Sequence, residues 1–132
     1  MRIKSKKNLK NKCDTLYSQI IRLVGKCEFC SKTSYLQSHH VIGRINYILR
    51  WDLRNGICLC SGCHMLNKFS AHQDPLGFME WFKSYRPEDY EYLRIRKNEI
   101  RTFTVLDYEE IYQELKEEYE RRKQIQIYKF FG

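Results

Sequence analysis

A chain of 132 residues and 16.2 kDa fits one small domain with appended helices and excludes a large multidomain enzyme. Its apolar fraction of 42% and aromatic fraction of 14% provide for a modest core and exclude disorder throughout the chain. Twenty-four basic side chains against 16 acidic ones give a net charge of +8, which favours an anionic partner, with nucleic acid as the first candidate.

Positive charge is concentrated in the first half of the chain. Residues 1–66 hold 12 basic and 3 acidic side chains, whereas residues 67–132 hold 12 and 13. The range 1–12 contains no acidic residue, so we predict a flexible basic tail that contacts DNA phosphates. Its basic residues are Arg2, Lys4, Lys6, Lys7, Lys10 and Lys12. This stretch is too polar for a secretory signal or a membrane span, and we expect a cytoplasmic, reducing location in a bacterial or phage-infected cell.

Capping residues and hydrophobic periodicity predict the order of elements. Asp14 and Ser61 are the expected N-caps of two helices, and Gly25 ends the first of them. The predicted order is helix, turn, strand, loop, strand and helix, over residues 14–25, 26–34, 35–42, 43–55, 56–59 and 61–69.

A helical extension over residues 86–132 is predicted to follow the core at residues 13–85. Pro75 and Pro87 have the spacing of first-turn prolines, and Thr104 and Asp107 have that of a capping box. One apolar stripe follows, formed by Tyr108, Ile111, Tyr112, Leu115 and Tyr119. Such a stripe packs into a core or binds a partner, so a protein partner or self-association through these helices is an alternative to plain packing.

Two C-x2-C pairs predict a structural zinc site. Cys27 and Cys30 form one pair, and Cys60 and Cys63 the other. Four thiolates presented from two tight turns match a closed tetrahedral site, and a small domain would gain folding energy from the metal. Coincidental pairs or two disulfides are the alternatives.

Histidines lie within or beside this cysteine frame. His39 and His40 are adjacent between the two pairs, Asn55 follows, and His64 comes directly after the second pair. His39 and His64 could bind one divalent cation, leaving His40 to take a proton from water, while the Asn55 carboxamide could fix the tautomer of His40. Each histidine alone could equally be a packing or surface residue.

This combination resembles the HNH endonuclease family, and most closely its small phage-type members. The matching stretches are CEFC at 27–30, SHHVIGR at 38–44, LRNGICLCSGCH at 53–64 and, less tightly, NKFSAHQDPLGFMEWF at 67–82. The resemblance implies a small α+β fold, with a ββα-metal core braced by structural Zn²⁺ and flanked by N-terminal and C-terminal helices.

The resemblance also implies an activity and a role for each site residue. The protein would be a hydrolase that cuts DNA phosphodiester bonds with one catalytic cation, Mg²⁺, Mn²⁺ or Ni²⁺. His40 would be the general base, Asn55 its orienting partner, and His39 and His64 ligands of the catalytic metal. The structural zinc would be held by Cys27, Cys30, Cys60 and Cys63.

Two features of the pattern need a structural answer. Lys68 occupies the position four residues after His64, so the third metal ligand is predicted to be Asn67, with His72 as second choice. Adjacent residues of a regular strand point to opposite faces, so His39 and His40 can share a site only if the strand ends or bends there.

Three arginines border the predicted site and could clamp phosphates: Arg44, Arg50 and Arg54. Two other functions stay open from the residues alone. One is a zinc-stabilised DNA-binding module without activity, and the other is a protein-interaction adaptor that uses the C-terminal helices. The intact His-Asn-His set argues against both, because a pure binder has no chemical need for it.

Overall fold

The computed structural model describes residues 5–131 and shows a small mixed α+β protein. Two antiparallel strands pair, and the helices within these residues pack around them. The elements are α1 (Lys6–Arg22), β1 (Leu36–His40), β2 (Gly56–Cys60), α2 (Pro75–Tyr85), α3 (Pro87–Arg96) and α4 (Val105–Phe131). The predicted small α+β class is confirmed.

Helix α1 begins eight residues earlier than the sequence predicts. Ser5 is its N-cap and accepts a hydrogen bond from the Asn8 N–H at 3.1 Å, so Asp14 is not a cap and residues 6–12 are not a flexible tail. The reason is that Leu9 and Cys13, at most 2% exposed, extend the buried stripe of the helix toward its start. The predicted contacts of Arg2 and Lys4 lie outside the described residues.

The two strands lie between two hydrophobic clusters. One cluster joins α1 and α4 with Trp51 and Cys58, and the other joins the cysteine turns to α2 and α3 through Ile57 and Leu59. Ile57, Cys58 and Leu59 therefore face the two clusters alternately, and the whole strand is buried.

Helix α1 lies directly against the start of β2. A Cβ atom on Gly56 would fall 2.3 Å from Ile21 Cδ1 and 2.7 Å from the Tyr17 hydroxyl, so only glycine allows this approach. His40 pairs with Gly56 across the sheet. The helix consequently covers the end of β1 where the two adjacent histidines lie.

The last helix packs back onto the first. The Cys13 thiol contacts the Tyr108 carbonyl and the Leu23 carbonyl accepts from Gln126, so α1 and α4 run in the same direction. The predicted capping box is present, because the Thr104 N–H donates to the Asp107 carboxylate at 2.7 Å. Within residues 5–131, no helix is both long and apolar enough to cross a membrane.

Candidate metal and catalytic site

Four thiols meet where the turn after α1 approaches the end of β2. The Sγ atoms of Cys27, Cys30, Cys60 and Cys63 all lie within 4.8 Å of one another. Those of Cys30 and Cys60 are 3.7 Å apart, which matches the separation of about 3.8 Å between two thiolates bound at about 2.3 Å in a tetrahedral zinc site. The four cysteines are therefore positioned as a metal site.

Backbone N–H groups surround two of these sulfur atoms. The Cys30 N–H approaches Cys27 Sγ at 3.4 Å, and the Cys63 N–H approaches Cys60 Sγ at 3.5 Å. Burial alone would raise the pKa of the Cys27 thiol, but neighbouring N–H groups lower it to about 7. Burial and the adjacent thiols raise the pKa of Cys63. Since none of the six cysteines forms a disulfide, this cluster keeps all four thiols available to a cation.

Three histidines form a second cluster. His39 lies in β1, His64 in a π-helical turn at Gly62–Leu66, and His72 in the loop before α2. One ring nitrogen of each lies within 4.8 Å of the other two, and the Nε2 atoms of His64 and His72 are 3.0 Å apart. Two imidazole nitrogens bound to one metal at about 2.1 Å stand about 3.0–3.4 Å apart, so this cluster fits one divalent cation.

The third member of the histidine cluster is His72, which the sequence analysis gives as the second choice for a third metal ligand after Asn67. The predicted helix over residues 61–69 is reduced to the π-helical turn, which ends where the Asn67 N–H donates to the Gly62 carbonyl at 2.9 Å. The chain then folds back, and the His72 N–H donates to the His64 carbonyl at 3.1 Å. Helical spacing from His64 therefore does not identify the third ligand.

His39 and His64 are held in the neutral, metal-binding form. The Gln37 side-chain oxygen accepts from His64 Nδ1 at 2.6 Å, so the His64 proton is on Nδ1 and Nε2 keeps its lone pair for the cluster. Burial, reinforced by neighbouring histidines, lowers the pKa of His39 to about 3 and that of His64 to about 4. The Phe78 ring packs edge-on against His39 with ring centroids 5.0 Å apart.

His40 lies on the face of β1 opposite to His39, in separate surroundings. Its ring stacks on Tyr17 at 4.9 Å, and its Nε2 lies 2.8 Å from the Arg50 carbonyl oxygen. A carbonyl oxygen only accepts, so Nε2 carries the proton and Nδ1 has a free lone pair. Burial lowers the pKa of His40, while the Arg50 carbonyl opposes this shift. The imidazole is therefore neutral, oriented and able to take a proton at Nδ1.

The sequence predicts that Asn55 orients His40, but the Asn55 side chain forms its hydrogen bonds elsewhere. Its side chain is fully buried and binds the loop between the strands instead. Asn55 Oδ1 accepts from the Ile42 N–H at 2.7 Å, and Nδ2 donates to the carbonyls of Ile42 and Leu49 at 2.9 and 3.0 Å. The position that a tautomer-fixing group would take beside His40 is filled by the backbone of Arg50, because the same loop returns there.

The three arginines predicted to bind phosphate differ in exposure and in their ion pairs with acidic residues. Arg50 is 9% exposed and donates two hydrogen bonds to Asp14, at 2.6 and 3.0 Å, so it cannot act as a free clamp. Arg54 forms an ion pair with Asp89 at 2.7 Å. Arg44, with 62% of its side chain exposed and a longer contact of 3.3 Å to Asp14, is the arginine best able to reach a ligand.

The predicted basic tail becomes an exposed helical surface. Lys6, Lys7 and Lys12 are exposed on α1, whereas the Lys10 ammonium donates to the Tyr47 hydroxyl at 3.2 Å. A helix presents these charges in fixed positions along one element, which a flexible segment would not do. Lys4 lies outside the described residues.

Sequence reasoning missed the contribution of α1 to the site. Asp14 binds Arg50, and its Oδ1 also accepts from the Trp51 indole N–H at 2.9 Å. Through this contact α1 holds the segment whose carbonyl accepts from His40. The signal available was the four-residue spacing of Leu9, Cys13 and Tyr17, which places Asp14 inside a helix.

Comparison with known proteins finds no matching family model, curated protein or solved structure.

Proposed function

We propose that this protein is a metal-dependent DNA endonuclease of the HNH class, built on a zinc-braced ββα-metal core. One observation carries the proposal. His39 and His40 are the last two residues of β1 and lie on opposite sides of the strand, where the first belongs to the three-histidine cluster and the second is a neutral imidazole with a free Nδ1. A cation site and a general base on adjacent residues form the basic equipment for hydrolysis of a phosphodiester.

The two clusters suit different metals. The four thiols match the closed sulfur site that structural Zn²⁺ prefers. His39, His64 and His72 offer three nitrogen donors without a carboxylate, which suits Ni²⁺ or Zn²⁺ better than Mg²⁺ or Mn²⁺, ions that prefer oxygen ligands. A cation bound there would supply Lewis-acid stabilisation of the charge on the scissile phosphate and the departing 3′ oxygen.

His40 acts as the general base in this proposal. It takes a proton from water at Nδ1 while the water oxygen forms a bond to phosphorus and the bond to the 3′ oxygen breaks. The Arg50 carbonyl accepts from Nε2–H throughout, so it orients the ring and stabilises the imidazolium that results. Asp14 holds the Arg50 side chain and thereby supports the same segment.

Charge supports DNA as the substrate. The net charge of +8 favours a polyanion. Lys6, Lys7 and Lys12 are exposed on α1, and Arg44 lies on the loop between the strands. The three lysines can neutralise phosphates, and Arg44 keeps most of its side chain exposed beside its 3.3 Å contact with Asp14, whereas Arg50 is buried against Asp14.

The experiment is cleavage of supercoiled plasmid by the zinc-loaded protein with added Ni²⁺, Mn²⁺ or Mg²⁺, in the presence and absence of a chelator. His40→Ala should reduce cleavage by about 10²–10⁴-fold with little change in DNA affinity. His64→Ala should weaken metal binding, so higher metal concentrations should restore part of its activity but none of the activity of His40→Ala. The matched control is Ile100→Ala, at a position that is 98% exposed.

The outcome distinguishes the proposal from its alternatives. Cleavage by His40→Ala at the parental rate would contradict the assigned base. DNA binding without cleavage under every metal condition would instead support a zinc-stabilised binding module.

A further inference from the structure

An open cleft of about 190 Å³ is lined by Cys63 of the thiol cluster and, on another side, by Phe78, which contacts His39. Phe29, Phe69, Phe78 and Trp81 provide its aromatic walls. Phe78 is shared between the two sites, because its ring centroid lies 5.0 Å from that of His39 and 5.8 Å from that of Trp81. One aromatic ring therefore separates the cleft from the three histidines.

The outer wall of this cleft is apolar and exposed. Phe69 is 75% exposed and Phe29 is 50% exposed. The segment that carries Phe69 is fixed by hydrogen bonds, since the Ser70 N–H donates to the Asn67 carbonyl at 3.0 Å and the Gln73 amide donates to the Met65 carbonyl at 3.2 Å. The exposure of Phe69 is thus part of the folded structure, and it leaves a flat aromatic face beside the cleft that a planar ligand can cover.

A lysine beside the outer wall of the cleft favours a ligand with an anionic backbone. The Lys68 ammonium lies 5.8 Å from the centre of the Phe69 ring. Asp74, on the cleft wall, caps α2 by accepting from the Gly77 N–H at 3.1 Å. A flat aromatic surface beside a cation matches a nucleobase joined to phosphate better than it matches an apolar peptide.

The size of the cleft limits what it can hold. Its volume of about 190 Å³ is below the range of about 300–1,000 Å³ typical of sites for drug-sized ligands. A single planar ring system suits this space. A base within an intact duplex cannot enter such a cleft until it leaves the stack, which has an energetic cost that is lowest for an unpaired base.

We infer that the cleft binds one unpaired nucleobase of the DNA substrate, stacked on Phe69. This inference rests on the proposed function and adds a substrate class to it: DNA with a single-stranded or bulged base is preferred over fully paired DNA. Stacking is tolerant of base identity, so the preference is for structure and not for sequence.

The test measures the affinity of the His40→Ala protein, loaded with zinc and Ni²⁺, for two labelled duplexes that differ by one bulged base. The protein should bind the bulged duplex more tightly. Phe69→Ala should remove this difference, with a loss of roughly 5- to 150-fold for the bulged duplex and little change for the paired one. Phe69→Trp should preserve the preference. A fluorescent 2-aminopurine at the bulge should change its emission on binding to the parent and not to Phe69→Ala.

The matched control is Leu76→Ala, which removes a side chain that is 80% exposed at the start of α2 and does not line the cleft. Equal affinities of Phe69→Ala and Leu76→Ala for both duplexes would overturn the inference. A change in the mass of the protein in solution on Phe69→Ala, without a change in DNA binding, would instead assign the surface to a second copy of the chain and would also overturn it.

A substrate without a base separates this inference from the proposed function. Hydrolysis of bis(p-nitrophenyl) phosphate requires the metal site and His40 but not the cleft, so Phe69→Ala should leave it unchanged. If hydrolysis depends on His40 while the bulge preference is missing, only the nucleobase inference is wrong. If neither this ester nor plasmid is hydrolysed under any metal condition, the proposed function is wrong, and the duplex affinities still decide whether the cleft binds a base.

Discussion

Replacement of Asn55 by alanine should destabilise the protein far more than it alters the chemistry at His40. The side chain is fully buried and makes three hydrogen bonds to the loop between the strands, at 2.7, 2.9 and 3.0 Å. Asn55→Ala removes all three and leaves the N–H of Ile42 and the carbonyls of Ile42 and Leu49 without these partners. At about 1 kcal/mol for each bond, with an added desolvation penalty, the loss is about 3–4 kcal/mol.

Thermal unfolding measures this loss. A change of 1 kcal/mol shifts the Tm of a domain of this size by roughly 3–4 °C, so Asn55→Ala should lower the Tm by about 10–15 °C. Asn55→Asp is the sharper variant, because a carboxylate would face two carbonyl oxygens that now accept from the amide. It should be at least as destabilising at pH 7 and recover stability in acid, where the carboxyl group is protonated.

The pH dependence of cleavage separates a role in the loop from a role in orienting the base. If Asn55 oriented His40, a carboxylate at this position would raise the pKa of His40 and move the pH optimum upward. Because the Arg50 carbonyl holds His40, we expect Asn55→Asp to keep the parental pH profile at a temperature where it is folded. An upward shift of the optimum with an unchanged Tm would refute this reasoning.

Three further predictions follow from the metal clusters and the charges. Metal analysis should find one tightly held zinc in addition to the catalytic ion, and Cys27→Ser should lose both this zinc and cooperative unfolding; full zinc retention in the variant would contradict the four-cysteine site. Two arginines hold the pKa of Asp89 below its usual value despite burial. The Asp89 carboxyl therefore binds a proton more readily in the unfolded chain than in the folded protein. The contribution of these ion pairs to the free energy of unfolding is lost as the pH falls through the lowered pKa. Asp89→Asn should reduce the free energy of unfolding by about 1 kcal/mol at pH 7 but little at pH 2. Replacement of Lys6, Lys7 and Lys12 by glutamine should make the slope of log affinity for duplex DNA against log salt shallower by up to about 3, and an unchanged slope would exclude α1 from the interface.

The cysteine and histidine clusters are the part of the molecule that the sequence predicts best. The four cysteines come from two short turns in which a C-x2-C spacing fixes the geometry locally, and they form one cluster as predicted. His39 and His64 lie together because β1 and β2 pair, and the turn that carries His64 follows β2 directly. Spacing is informative here because the residues are held by local structure and one strand pair.

Other features depend on contacts between distant parts of the chain. Residues 6–12 are helical because Leu9 and Cys13 are buried in a cluster that includes α4, about 100 residues away in the sequence. The six basic side chains of residues 1–12 do not indicate that packing partner. His72 joins the cluster through an irregular loop for which helical spacing gives no guidance. The position of Asn55 in the motif predicts that it orients the general base, but the path of the loop directs its side-chain amide to backbone groups.

The pairing of the first helix with the last also determines when the protein can finish folding during synthesis. Ile57 and Leu59 of β2, the cysteine turns, α2 and α3 have their packing partners within residues 27–93, so this half can assemble early. The apolar face of α1 must wait for Tyr108 and Leu115 to emerge. During that interval Leu9, Tyr17 and Ile20 are open to chaperones or to aggregation, and the segment that carries the Arg50 carbonyl lacks its full support. The surroundings of His40, which α1 supports through Asp14, are therefore complete only after Tyr108 and Leu115 have joined the cluster.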